Sequence, residues 1–192
     1  MTQHTDSRDQ ILAHAQRLFM EQGLRGISMR QIAEQVGLTK AALYYHFRDK
    51  EELFVAIVER YLNRTADLLD RAAATGQDCR GQLAAIVRAI LTQPVEERAI
   101  LRLASQELSN ISPAARGQFL ALYHEKFIGR LTALIEDGMA GGELRPMNPR
   151  LATWTLLGMM YPYFHPSPST GFALGNVEID ALLSIYFDGL AM

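Results

Sequence analysis

Residues 28–50 read SMRQIAEQVGLTKAALYYHFRDK, and the order of residue types there decides the fold of the N-terminal part of the chain. Ser28 is placed to cap a helix carrying Met29, Ile32, Ala33 and Val36. Gly37 stops that helix, because glycine enters a positive-φ turn without strain. Thr39 is placed to cap a second, short helix from Lys40 to about Phe47. Where two helices cross steeply through a tight turn, the first needs a small side chain at the crossing and the second an apolar anchor. Ala33 and Leu43 meet those needs, with Ile32, Val36, Leu38 and Phe47 to fill the space between them. The stretch predicts a helix-turn-helix.

Its outward face carries the functional signal. Lys40, Ala41, Tyr44 and Tyr45 avoid the Leu43/Phe47 stripe, and His46 and Lys50 lie at the far end of the second helix. Small side chains at 41 and 42 let the helix N-terminus approach a surface closely. Lysine, tyrosine and histidine donors suit phosphate oxygens and base edges in a major groove. Two capped helix N-termini, at Ser28 and Thr39, add positive ends for phosphates. A glycine-turn helix pair also occurs outside DNA-binding proteins, but adjacent tyrosines flanked by three basic side chains have no ready explanation as core.

Outward from this stretch the chain keeps a helical rhythm. Ser7 opens a first helix with Ile11, Leu12, Ala15, Leu18 and Phe19 at three- and four-residue spacing, and Gly23 closes it. Asp49-Lys50-Glu51-Glu52 has the form of a capping box. It opens a long helix through Leu53, Phe54, Ile57, Tyr61, Leu62, Leu68 and Leu69 to about Ala74. Apolar stripes follow at 79–92, at 95–109, from Ser112-Pro113 to Gly138, at 149–163 and at 177–190. The breaks fall at Thr75-Gly76, Gly141-Gly142, 147–149 and 165–171. No stretch alternates with a two-residue period. The chain reads as all-α with about nine helices, a three-helix DNA-binding domain over residues 1–50 and a helical domain over 51–192.

Composition narrows the function. The 192 residues carry 19 Lys+Arg against 21 Asp+Glu, so a globally basic coat for nucleic acid is excluded and a local patch is not. Residues 1–50 hold seven basic and five acidic side chains, which places an anionic partner at that end. The single cysteine, Cys79, leaves no internal disulfide and suits a reducing compartment. The polar start MTQHTDSRDQ and the lack of an 18-residue apolar run predict a cytoplasmic protein without a membrane span. No Gly-x-Ser-x-Gly, glycine-rich phosphate loop or His-Glu-x-x-His is present, and His124-Glu125 is an isolated pair. Neither catalysis nor a metal nor a cofactor is expected.

The residues Gly26-Ile27-Ser28-Met29-Arg30, Ile32-Ala33, Val36 to Thr39, Ala42 to Phe47 and Asp49 to Leu53 resemble the TetR-type transcriptional regulators. Ile11-Leu12, Ala15, Leu18-Phe19 and Gly23 fit that family's first helix, so the match covers residues 8–60. The resemblance implies that Ser28 and Arg30 touch DNA from the start of the second helix. It places Thr39, Lys40 and Ala42 nearest the base edges, makes Tyr44 and His46 backbone contacts, points Tyr45 at the groove and assigns Lys50 to a phosphate. Position 41 is alanine where some relatives carry larger or rigid residues, so no base preference carries over.

For the remaining residues the resemblance implies a domain that binds a small molecule and dimerises. Leu182, Leu183, Tyr186 and Phe187 on the last helix, with Leu151, Thr155 and Gly158 on the one before, are the candidate interface. The bland alternative is that both stripes face their own core; for the last helix the resemblance favours the interface, because it places a four-helix dimer contact there. Tyr61, Leu101, Tyr123, Phe127, Trp154 and Met159 are candidate linings of an apolar, aromatic pocket, and each could instead be plain core. Arg102, Glu107 and His124 could orient a ligand or lie on the surface. The chain thus reads as a homodimeric repressor, released from a pseudo-palindromic operator of double-stranded DNA by a small hydrophobic or aromatic effector. The alternatives are a dimeric DNA-binding protein without a ligand, and a protein-interaction module using Tyr44-Tyr45.

Overall fold

The computed structural model describes residues 2–74, 78–164 and 175–189. Its elements are α1 (Thr2–Gly26), α2 (Met29–Val36), α3 (Lys40–His46), α4 (Lys50–Ala73), α5 (Cys79–Leu91), α6 (Val95–Glu107), α7 (Pro113–Tyr123), α8 (Gly129–Ala140), α9 (Pro149–Met160) and α10 (Asn176–Asp188). A π turn, His124–Ile128, joins α7 to α8 in one continuous rod, and a 3₁₀ turn, Tyr161–Phe164, extends α9. The described residues therefore form nine helical rods and no strand, as the periodicity predicts. The expected breaks at Thr75-Gly76 and 165–171 lie outside the described residues.

Most boundaries are set by side chains that satisfy the backbone groups a helix end leaves open. Ser28 and Gln31 close a reciprocal capping box on α2. Gly37, at φ 76°, ends that helix by donating its N–H to the carbonyls of Ala33 and Glu34. Thr39 Oγ1 accepts the Ala42 N–H at 3.1 Å. Asp49 Oδ1 accepts the Glu52 N–H at 2.8 Å, and Glu52 reaches back to the N–H of Arg48 rather than to that of Asp49. Asp78 caps α5, and Asn148 with Pro149 opens α9. One expected cap is corrected: Ser7 lies inside α1, which starts at Thr2, because a serine costs only a fraction of a kcal/mol within a helix. Gly23 breaks α1 as expected, but one more helical turn follows it.

The chain divides into two compact units. The first comprises Met1–Tyr61 and Ala99–Leu122. Its core is built from Ile11, Leu12, Ala15, Phe19, Ile32, Ala33, Leu43, Phe47, Leu53, Phe54 and Ile57, all fully buried. The Phe19 and Phe54 rings meet edge to face with centroids 6.3 Å apart. Arg60 ties α4 to α1 by donating to the Asp9 carbonyl and Gln16 Oε1. This unit reaches beyond residue 50, where the sequence suggests a boundary. The first turns of α4 bury Leu53, Phe54, Ile57 and Val58, so they belong with α1 in packing terms.

The second unit comprises Leu62–Arg98 and Tyr123–Met192. In it α5 packs on α8 and α10, and α8 on α9. Two ion pairs, Arg80–Asp188 and Arg88–Asp180, fasten α10 to α5, and the Arg80 guanidinium also stacks over the Phe187 ring. Cys79 is buried at the start of α5, its Sγ donating to the Leu134 carbonyl. Burial first, then the carboxylates of Glu143, Asp78 and Asp137, pushes its thiol up to about 11.

The α5–α8 approach depends on Gly138. A Cβ there would sit 2.4 Å from Cys79 Sγ and 2.7 Å from Cys79 Cβ. Gly138→Ala is expected to lower unfolding free energy by about 1–3 kcal/mol through overpacking, read by chemical denaturation. Adding Cys79→Ala should recover part of that loss, because it removes the sulfur. A Gly138→Ala protein as stable as the wild type would mean that these helices lie farther apart.

Candidate nucleic-acid interface

The face opposite the Leu43 anchor is where the structure gathers donors. Leu43 is fully buried, whereas Tyr44 is 43% and Tyr45 77% exposed. Tyr45 in particular, left mostly in water on a seven-residue helix, adds little to the core. Lys40 Nζ lies 5.6 Å from the centre of the Tyr44 ring, and the Tyr45 ring meets His46 edge to face at 5.4 Å. The Lys40 ammonium thus stays close to aromatic surface, so it presents charge without floating free.

An open groove of about 570 Å³ runs beside this face. It is lined by Ser28, Met29 and Arg30 from the start of α2, Lys40 and Tyr44 from α3, and Asp49, Lys50 and Glu51 from the start of α4. Five of the nine expected DNA-contacting residues thus share one surface: Ser28, Arg30, Lys40, Tyr44 and Lys50. Thr39, Ala42, Tyr45 and His46 lie elsewhere on α3 or at its start. Thr39 and Ala42 form the α3 cap, which aims that helix N-terminus outward. Arg30 is exposed and paired with Glu34 at 2.8 Å.

Lys50 differs from its expected part. It lines the groove, but its Nζ donates to the carbonyls of Leu24 and Ile27, both at 2.7 Å. Two of its three N–H donors are therefore spent inside the protein. Glu107 is also placed differently from either reading of the sequence. It is only 8% exposed, and it accepts from the Leu24 N–H at 3.1 Å and from Asn110 Nδ2 at 2.8 Å. Glu51 accepts from both the N–H and the hydroxyl of Ser112. The capping box marked Glu51 only as a member of a helix start, and nothing in the local pattern pointed to Ser112.

The expected pocket residues fall in both units. Tyr61 is buried and Leu101 half-buried in the first. In the second, Tyr123 precedes the π turn and Phe127 lies within it, their ring centroids 5.7 Å apart, and burial pushes the Tyr123 phenol up to about 12. Met159 borders a surface groove of about 320 Å³ together with Tyr163, Glu178, Ala181, Leu182 and Ile185. Trp154 is a correction: it is 52% exposed. The inner face of α9 is filled by Ala152, Thr153, Leu156, Leu157 and Met160, which leaves the Leu151, Trp154, Thr155 and Gly158 face outward.

The expected interface residues separate in the same way. Leu151, Thr155 and Gly158 are exposed as an interface requires. Leu182 and Leu183 are corrections, since both are already buried within one protomer. Tyr186 is half-buried and donates its hydroxyl to the Ala152 carbonyl, and Phe187 lies under Arg80. On α10 the apolar side chains left outward are Val177 and Ile185.

With this geometry in place, similarity to known proteins can be stated. Residues 11–57 match the family described as bacterial regulatory proteins, tetR family, and residues 76–163 match tetracyclin repressor-like, C-terminal domain. The HTH-type transcriptional repressor KstR2 of Rhodococcus jostii is 26% identical, over 96% of this chain and 91% of its own length. AibR, solved in complex with isovaleryl coenzyme A and operator DNA, is 25% identical with a TM-score of 0.75, over 94% of this chain and 98% of that one. The regulator PfmR of Thermus thermophilus is 26% identical with a TM-score of 0.78, over 95% and 99%.

Proposed function

The chain belongs to the TetR family of DNA-binding transcriptional regulators, not to an enzyme family, and from that premise we propose a homodimeric cytoplasmic repressor whose operator affinity falls when a small hydrophobic or aromatic effector binds. The observation that carries the DNA-reading part is the exposed α3 face, with Lys40, Tyr44 and Tyr45 beside the groove shared with Ser28 and Arg30. In a two-fold dimer, two such faces enter successive major grooves about one helical turn apart, which requires a pseudo-palindromic site. Thr39 and Lys40 meet base edges, and Tyr44, His46 and Arg30 meet the backbone.

The effector reading rests on two supports. AibR, with its acyl coenzyme A ligand, is similar across nearly the whole chain. The Tyr123–Phe127 aromatic pair is built on a π turn, a feature frequent at functional sites. An effector acts only through its differential affinity for the DNA-competent and incompetent states.

Selection of bound fragments from a random duplex pool at near-physiological salt tests the reading, with Tyr44→Ala as control. A pseudo-palindrome is expected from the wild type and none from the variant. The recovered duplex then serves to screen effectors, beginning with isovaleryl coenzyme A. Failure to enrich any sequence, with effectors absent and present, would remove DNA recognition from this face and leave Tyr44-Tyr45 to a protein partner.

A further inference from the structure

The segment between α1 and α2 is held by opposite charges from two distant helices. Gly23 takes φ 71° and ψ 167°, which breaks the α1 ladder. The Leu24 peptide that follows is buried, so both of its polar groups need partners. Its N–H donates to the Glu107 carboxylate of α6, and its carbonyl accepts from the Lys50 ammonium of α4. Lys50 also takes the Ile27 carbonyl, one residue before the Ser28 cap of α2. Asn110 holds the second oxygen of Glu107. A Cβ on residue 23 would come within 3.1 Å of Glu107 Oε1, so glycine serves both the backbone turn and the approach of the carboxylate.

This clasp fixes where α2 begins. From Ser28 successive contacts carry that position onward: the capping box leads into α2, the Leu38 N–H donates to the Ala33 carbonyl at 2.9 Å, and Leu43 anchors α3. We infer that Glu107 is a positioning residue for DNA recognition, acting with Lys50 through the Leu24 peptide to hold α2 and α3 in register. The inference rests on the DNA-reading function proposed above. A positioning role and a purely electrostatic one have opposite signs. Removing a carboxylate near bound DNA tightens binding through charge alone, whereas loosening the clasp weakens it.

The test is titration of full-length wild type, Glu107→Ala and Glu107→Gln with the selected duplex, over a salt series and well below each protein's Tm. Glu107→Ala leaves a buried N–H unsatisfied and is expected to weaken binding about tenfold, with an unchanged salt slope because no phosphate contact is lost. The glutamine amide oxygen still accepts from Leu24, and Asn110 can turn its own amide oxygen to accept from the glutamine Nε2, so Glu107→Gln is expected within about twofold of wild type. Amide exchange at Leu24 should accelerate in the alanine variant and not in the glutamine variant. If Glu107→Ala does not fold, Asn110→Ala, which frees one carboxylate oxygen, should give a smaller loss in the same direction. Equal or tighter binding by Glu107→Ala, equal losses for alanine and glutamine, or, where Asn110→Ala stands in, no loss from it, overturns the inference. A wild type that binds no duplex overturns the DNA-reading function itself and this inference with it.

Discussion

Trp154→Arg is expected to convert the protein from dimer to monomer and to weaken operator binding by about 10²–10⁴-fold, the advantage that linking two binding modules confers. Leu151, Trp154, Thr155 and Gly158 recur at positions i, i+3, i+4 and i+7, so they share one face of α9, and all are exposed in a single protomer. Val177 and Ile185 on α10 add exposed apolar area. Large apolar side chains left in water, Leu151 and Trp154 on one helix face above all, are what an interaction site supplies. In the proposed two-fold dimer, with this face of α9 at the interface, a guanidinium at Trp154 would be buried without a carboxylate partner, and such a charge is costly enough to dissociate the pair.

Sedimentation equilibrium would read the change in mass, and affinity for a half-site duplex should stay unaltered, because the DNA-reading unit is untouched. Trp154 is the chain's single tryptophan. Its emission should therefore shift to the red when wild type is diluted below its dimer dissociation constant. A Trp154→Arg protein that remains dimeric and binds the full operator normally would place the interface elsewhere.

Leu43→Ala is expected to cost about 2–5 kcal/mol of unfolding free energy, the range for truncating a fully buried leucine. Leu43 has no exposed surface and belongs to a core with Ile32, Ala33 and Phe47. The cavity lies where α3 rests on α2, so operator affinity should fall along with stability. Chemical denaturation measures the first and duplex titration at low temperature the second. A loss well below 1 kcal/mol would mean that α3 is not held by this side chain.

Much of the molecule was legible from short stretches of sequence. The capping side chains of Ser28, Thr39 and Asp49 bond to N–H groups three positions on, and the Gly37 turn closes within its own neighbourhood. Such interactions depend on neighbours along the chain, so pattern alone reveals them. The rhythm of apolar residues likewise marked the rods from α5 to α10 within a few residues of their ends. It also separated Leu43 and Phe47 from Tyr44 and Tyr45 correctly.

Other assignments needed the tertiary structure. Glu107 and Leu24 lie 83 positions apart, and Ser112 lies 61 positions from Glu51. No local pattern says which helix end will meet which. Trp154 looked like pocket and Leu182 like interface because an apolar stripe shows that a face is buried somewhere, not what it is buried against. Lys50 read as a phosphate ligand from its motif, but the two carbonyls it holds come from the last turn of α1 and the link to α2, placed beside it by folding. Sequence determined the helices, most of their caps and the outward face of α3, because these follow from contacts within about one turn of the chain. Tertiary structure decided which charged groups turn inward and which apolar faces stay open, because those depend on how helices distant in sequence pack together.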